Sequence, residues 1–210
     1  MTVAIIIPVL ARPHRARPAL ESALAATPDA RVLFVCDPGD HEEREAVFAA
    51  GGDALLVDGG YARKVNVACR VTAEPFVFAA ADDLHFRQGW FDRARAAIRG
   101  QVQVVGVNDM MRRRRRQHAT HFLMTREYVG LSTLDGGAGP MCEAYAHSFV
   151  DDELIATAKH RGVYAYEPAA VVEHQHWMNR RAPDDETYRK GRVDFDADRA
   201  LFEQRSRLWT

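Results

Sequence analysis

YARKVNVACRVTAEPFVFAAADD, residues 61–83, decides the fold. Its first half has the spacing of a helix from Ala62 to Ala73. Phe76, Val77 and Phe78, followed by small alanines, then make the kind of strand that sits inside a sheet, predicted over Phe76–Ala80. A helix that delivers the chain to a buried strand is the repeating unit of a parallel sheet. This strand runs straight into two adjacent carboxylates, Asp82 and Asp83, which arrive together where the sheet is expected to end. Such a pair either starts a turn or holds something positive. Two neighbouring acids at a strand end can bind Mg²⁺ or Mn²⁺, hard ions that take oxygen ligands and bridge to substrate phosphates.

The same unit recurs on the N-terminal side. Val3–Val9 reads as a buried strand broken by Pro8, and Leu20, Ala23 and Leu24 give helical spacing after Pro13 and Pro18. Val32–Cys36 is a second strand. Asp40 and Glu43 form a capping box for a helix that stops at Gly51-Gly52. Ala54–Val57 is a short third strand. Strands and helices alternating at this spacing predict a single α/β domain with a mostly parallel sheet flanked by helices. In open sheets of this kind ligands bind beyond the carboxyl ends of the strands where strand order reverses, so the loops after Val9, Cys36 and Ala80 should floor the site.

Further along, Gly89–Arg99 reads as a helix and Val102–Val107 and His121–Met124 as strands. A glycine-rich loop (Asp135–Pro140) precedes a helix from about Asp151 to Arg161 closed by Gly162. Asp194–Leu208 reads as a surface helix docked by Phe195, Leu201, Phe202 and Leu208. The chain has 210 residues, 47% of them hydrophobic, enough for a full core. Its longest apolar stretches fall far below the roughly 20 residues of a bilayer span. The opening VAIIIPVL reads as a strand rather than a secretory leader, so the expected location is cytoplasmic. Cys36, Cys69 and Cys142 are few and widely separated, as reduced buried thiols would be. The formal net charge of −1 names no partner, but Arg112–Arg116 concentrates five positive charges. This run is either a solvated loop or a contact for phosphate, since the planar guanidinium donates bidentately.

P-loop and GxGxxG signatures are absent, so another device must neutralise a bound phosphate. At this point the sequence resembles the GT-A fold glycosyltransferases of family 2, in particular small members encoded by bacteriophages and their actinobacterial hosts. "IIIPVLARPH" is similar to the family's strand and loop that meets the nucleotide base, with Pro8 and Arg12 in place. Asp37 stands where the family's acid contacts base or ribose. Residues 61–83 are similar to the family's basic and Asn-bearing helix running into its DxD strand, with Lys64 and Asn66 matching that helix. A strict DxD would put an acid at Ala80 or Ala81, which this chain lacks. By resemblance Asp82 faces the ribose or orders the site and Asp83 binds metal. His85 could pair with Asp83 only if the strand continued that far.

"FVDDELIATAKHRG" has acids in its first helical turn and Lys159, His160 and Arg161 in its last, which complements the helix dipole. It also resembles the family's catalytic helix, with Asp151 at the base position, Asp152 in reserve and Leu154 as apolar anchor. "YEPAAVVEHQHW" offers His174 and His176, two apart on what reads as a strand and hence on one face. His174 stands where family members place a histidine near metal and diphosphate, with His176 and Trp177 shaping the same wall.

The resemblance implies a GT-A-type Rossmann-like fold. Residues 1–107 would be the nucleotide-sugar-binding half, 108–177 the acceptor-binding and catalytic half of the same domain, and 178–210 a helical tail. It implies an inverting transferase that uses Mn²⁺ or Mg²⁺ and moves a sugar from a UDP- or GDP-sugar to a hydroxyl on a protein, glycan or nucleic acid. The arginine run has no interleaved aromatics, which ranks nucleic acid last. A nucleotidyltransferase would need a glycine in "VLARPHRAR", and there is none. A non-catalytic sugar-nucleotide or glycan-binding module is the third reading, kept open by Ala80-Ala81.

Overall fold

The computed structural model describes residues 2–111 and 119–210, so the Arg112–Arg116 run lies outside the described residues. Strands β1 (Val3–Pro8), β2 (Arg31–Cys36), β3 (Asp53–Leu56) and β4 (Phe76–Ala79) pair in parallel in the order β3-β2-β1-β4. Helices α1 (Pro13–Ala26), α2 (His41–Ala49) and α3 (Tyr61–Val71) connect them. Alternate residues of β1 enter two cores. Val3, Ile5 and Ile7 pack on one face with α1, while Ala4 and Ile6 pack on the other with α3. A strand buried on both faces must be apolar throughout, which is why β1 and β4 read so plainly.

Beyond β4 the sheet continues through β7 (Phe122–Thr125), β6 (Val104–Asn108), β8 (Tyr164–His174) and β5 (Leu84–Phe86). β7 runs antiparallel to both β4 and β6, β8 returns to the common direction beside β6, and β5 opposes β8. Among the described residues, six of the eight strands therefore point one way. The mostly parallel α/β sheet expected from the sequence is present. Helix α4 (Trp90–Ala96) packs Trp90 against Phe78, with ring centroids 4.6 Å apart. Helix α6 (Val150–His160) buries Leu154 and Ile155 on the opposite face, and the short α5 (Arg126–Val129) follows β7.

Two expectations are corrected. The sheet does not end at Asp82-Asp83: after a two-residue turn the chain re-enters it as β5, with Leu84 and Phe86 buried and His85 outward. Three residues of alternation are too few to read as a strand. β8 ends at His174, and His176 instead caps a 3-10 turn over Trp177–Asn179. The tail folds as α7 (Glu186–Lys190) and α8 (Phe195–Arg205). Among the described residues no helix is long and apolar enough to cross a membrane. The cysteines are buried and free.

Candidate functional site

Strand order reverses between β1, whose chain goes on to β2, and β4 on its other side. The carboxyl ends of these two strands are where an open α/β sheet is expected to form its ligand crevice. The β1–α1 loop on its floor is fixed by the N-terminus of α2. Asp40 accepts from Ala11 N at 2.9 Å and buried Glu43 accepts from Arg12 N at 2.7 Å. Ala11 is held at φ 51°, a conformation a non-glycine residue adopts only under constraint. The expected capping box is half made. Asp40 caps Glu43 N at 3.1 Å, but Glu43 reaches into the loop instead of back to Asp40.

The Arg12 guanidinium lies inside this crevice, with Nη1 3.1 Å from Asp82 Oδ1. Its other edge forks onto Asp185, with Nη2 to Oδ1 at 2.8 Å and Nε to Oδ2 at 3.0 Å. Arg15 stands one helical turn on. Its Nη1 is 3.7 Å from Asp83 Oδ2 and 4.0 Å from Asp82 Oδ1, and its Nη2 is 3.9 Å from Asp185 Oδ2. Lys64 reaches across from α3 to Asp37 at 2.5 Å and to the Val9 carbonyl at 3.1 Å, tying the ends of β1 and β2 together. Pro8, the last residue of β1, pairs with Val35 beside them.

The unforeseen strand β5 brings together Asp83 and His174, the two residues expected at a metal site. Its register sets Leu84 opposite His174, and Gln175 N donates to the Asp83 carbonyl at 2.7 Å. Consequently His174 Nε2 lies 3.1 Å from Asp83 Oδ2, and Tyr188 donates its hydroxyl to the same oxygen at 2.7 Å. His121 and His176 flank His174 with centroids 5.0 Å and 4.8 Å away. Burial alone would raise the Asp83 carboxyl, but the charge and hydrogen bond of His174 and the Tyr188 hydroxyl outweigh it and hold Asp83 well below the usual range. Burial first and the charge of Asp83 second push the Asp82 carboxyl above its ordinary value, against Arg12 and Arg15. Burial, then the neighbouring His174, lowers His176 to about 4.

Among the described residues no cluster of three or more His, Cys, Asp or Glu side chains is arranged to hold an ion. The residues present nonetheless suit one that finds its remaining ligands elsewhere. Asp83 Oδ1 is buried with no hydrogen-bond partner, beside an imidazole. Mg²⁺ and Mn²⁺ are commonly held by one or two protein carboxylates and complete their shell with phosphate and water, a share that Asp83 can supply.

Asp151 sits in the first turn of α6. Its charge, together with that of Asp83, reaches Tyr61 and His147. Tyr61 donates to the Ala80 carbonyl at 3.2 Å. Asn66 and His85 stand apart from this group. The Asn66 amide bonds Met141 O at 2.8 Å and Glu143 at 2.9 Å, holding the glycine-rich loop where Gly139 passes too close for a side chain. The exposed His85 ring instead faces Ser22 Oγ at 3.3 Å.

Sequence reading missed Arg15, Glu43, Tyr61, His121, His147, Asp185 and Tyr188. The two from the tail carry one local signal, since Asp185 caps α7 by accepting from Tyr188 N at 3.0 Å.

No family model and no curated protein matches this chain. Solved structures do. A mannosyltransferase from Pyrobaculum calidifontis, solved with GDP-mannose and Mn²⁺, superposes with a TM-score of 0.62 at 15% identity over 82% of this chain and 56% of that one. The glucosyl-3-phosphoglycerate synthase of Mycobacterium tuberculosis, solved with Mn²⁺, UDP-glucose and phosphoglyceric acid, superposes at 0.65 with 13% identity over 98% and 79%. The same synthase with Mg²⁺ and UDP gives 0.61 at 12% identity over 89% and 74%. The chain spans little more than half the length of the mannosyltransferase. At these identities the likeness is one of fold, and that fold is the GT-A type.

Proposed function

We propose that this protein is a metal-dependent inverting glycosyltransferase that moves a sugar from a nucleotide-diphosphate sugar to an acceptor hydroxyl. The observation that carries the reading is the Asp83–His174 pair at 3.1 Å, with a buried unpaired carboxylate oxygen, at the strand-order reversal. Its support from outside the chain is a fold shared with enzymes solved with GDP-mannose or UDP-glucose and Mn²⁺.

In this reading Pro8, the Arg12 loop and Asp37 with Lys64 shape the nucleoside wall, and Asp82 orients Arg12 toward the phosphates. Asn66 supports that wall indirectly, through the loop at Met141. When bound, Mn²⁺ or Mg²⁺ on Asp83 and His174 supplies Lewis-acid neutralisation of the diphosphate leaving group. Asp151, at the start of α6, takes the proton of the acceptor oxygen as that oxygen attacks the anomeric carbon, a transfer that needs approach to about 3 Å. A single in-line displacement inverts that carbon.

A thermal-shift screen of UDP-, GDP- and dTDP-sugars with and without Mn²⁺ tests the donor half. One nucleotide class should raise the melting temperature only with metal, and Asp83→Ala should abolish the rise. Equal shifts in both proteins would remove Asp83 from the site. Asp151→Asn should keep that shift and lose transfer, and retained turnover would place the base elsewhere.

A further inference from the structure

The crevice is closed from outside by the tail. Asp185 meets the edge of Arg12 through both carboxylate oxygens, at 2.8 and 3.0 Å, the two-point geometry with which arginine also takes a phosphate. Tyr188 covers Asp83 with its hydroxyl and lies under the Arg12 guanidinium, 3.9 Å from ring centroid to Cζ. Thr187 adds a hydrogen bond to the Leu10 carbonyl at 3.2 Å. Asp82 and Asp83 are left 8% and 5% exposed, which gives a nucleotide diphosphate no room to reach them.

The cover is held by polar and ring contacts, with Tyr188 also against the His176 ring at 4.5 Å, and not by apolar burial. None of α7 is buried, and it contributes nothing to either apolar core. The ion pair Lys190–Glu186 lies within the segment itself, and Arg192–Asp184 joins it only to the next residue of the tail. Beneath it, Arg15 lies 3.7 to 4.0 Å from three carboxylates and makes a hydrogen bond to none of them. This guanidinium is enclosed among acids yet uncommitted. Segments with few buried apolar contacts and polar tethers open at low free-energy cost.

We propose that Arg12 and Arg15 form a diphosphate subsite and that residues 184–191 are an internal plug, with Asp185 holding the place of a donor phosphate until the donor exchanges with it. The proposal rests on the donor reading above and adds to it Arg15 as a second group that receives the phosphates, and the segment that must leave. Because only the unplugged fraction binds, loss of the Asp185 charge raises apparent affinity.

Calorimetric titration of inorganic pyrophosphate without metal, and of UDP and GDP with Mn²⁺, compares the wild type with Asp185→Asn and Asp185→Ser. Asn and Ser both retain the cap on α7, so the helix itself is spared. Pyrophosphate, and whichever nucleotide binds, should bind both variants about tenfold more tightly than the wild type, the scale of one charged hydrogen-bonded pair. In the wild type, saturating pyrophosphate should also speed amide hydrogen exchange across residues 184–191, a readout that needs no variant to fold. Unchanged or weaker binding by the variants, or unchanged exchange, overturns the plug while UDP or GDP binding by the wild type leaves the donor site standing. No binding by any of the three proteins overturns the donor reading and the plug with it.

Discussion

The parallel half of the sheet and the C-terminal tail both contribute to the crevice, by opposite means. β1 and β4 are apolar along their length, and their packing fixes where Arg12, Asp82 and Asp83 emerge. The tail buries little, yet it delivers Asp185 and Tyr188 to the crevice and ties down the start of α6. Asp198 accepts from the N–H groups of Ala146, His147 and Ser148 at 2.8, 2.9 and 2.7 Å, and Arg205 bonds Glu153 twice at 2.7 Å. Apolar burial fixes position here, and polar contacts decide what is covered.

The sharpest break of this contrast is between two phenylalanines. Phe78 is fully buried against Trp90 and Phe86, so Phe78→Ala should cost about 3–5 kcal/mol in urea unfolding. Phe195, 37% exposed on the tail, should cost below about 1 kcal/mol. Comparable losses would mean the tail is part of the core. Next in size is Arg205→Ala, which strands the buried Glu153 carboxylate with only the Tyr145 hydroxyl at 2.6 Å. About 3 kcal/mol is expected, and Arg205→Ala together with Glu153→Gln should recover part of it. An additive double variant would show the pair to be uncoupled.

The smallest effect concerns pH. The Arg205 hydrogen bond first, and the Thr133 hydroxyl second, hold the Asp135 carboxyl below its ordinary value. A depressed carboxyl contributes stability that is present above its unfolded value, about 3.9, and is lost as pH falls through the lower folded value. Acid should therefore loosen the Arg205 anchorage only below about pH 4, and Asp135→Asn should flatten that limb of a stability–pH curve. Asp135 is 41% exposed at its side chain, so the change is small. A transition between pH 5 and 7 that survives in Asp135→Asn would point to another group.

What was legible in the sequence follows the same division. β1 to β4 with their helices read correctly because two-sided burial demands unbroken apolar runs, and Asp82-Asp83 stood out against that background. β5 was invisible, since Leu84-His85-Phe86 is too short to show a period. With it went the physical reason why Asp83 meets His174 from 91 residues away. Glu43 was read as a helix cap because its spacing from Asp40 is that of a cap, although its carboxylate serves the Arg12 loop. Asp185 and Tyr188 lie in a polar stretch where no periodicity separates a site residue from a solvated one.

The pairing of β8 has a further consequence for how this chain can vary in length. It runs beside β6 in step as far as Val107 opposite Glu167, then resumes with Asn108 opposite Val171, so residues 168–170 form an excursion before the strand takes β5 as partner. Residues can be gained or lost in that excursion and absorbed there. One residue inserted between Val171 and His174 would turn the imidazole to the other side of the sheet and take it from Asp83 altogether.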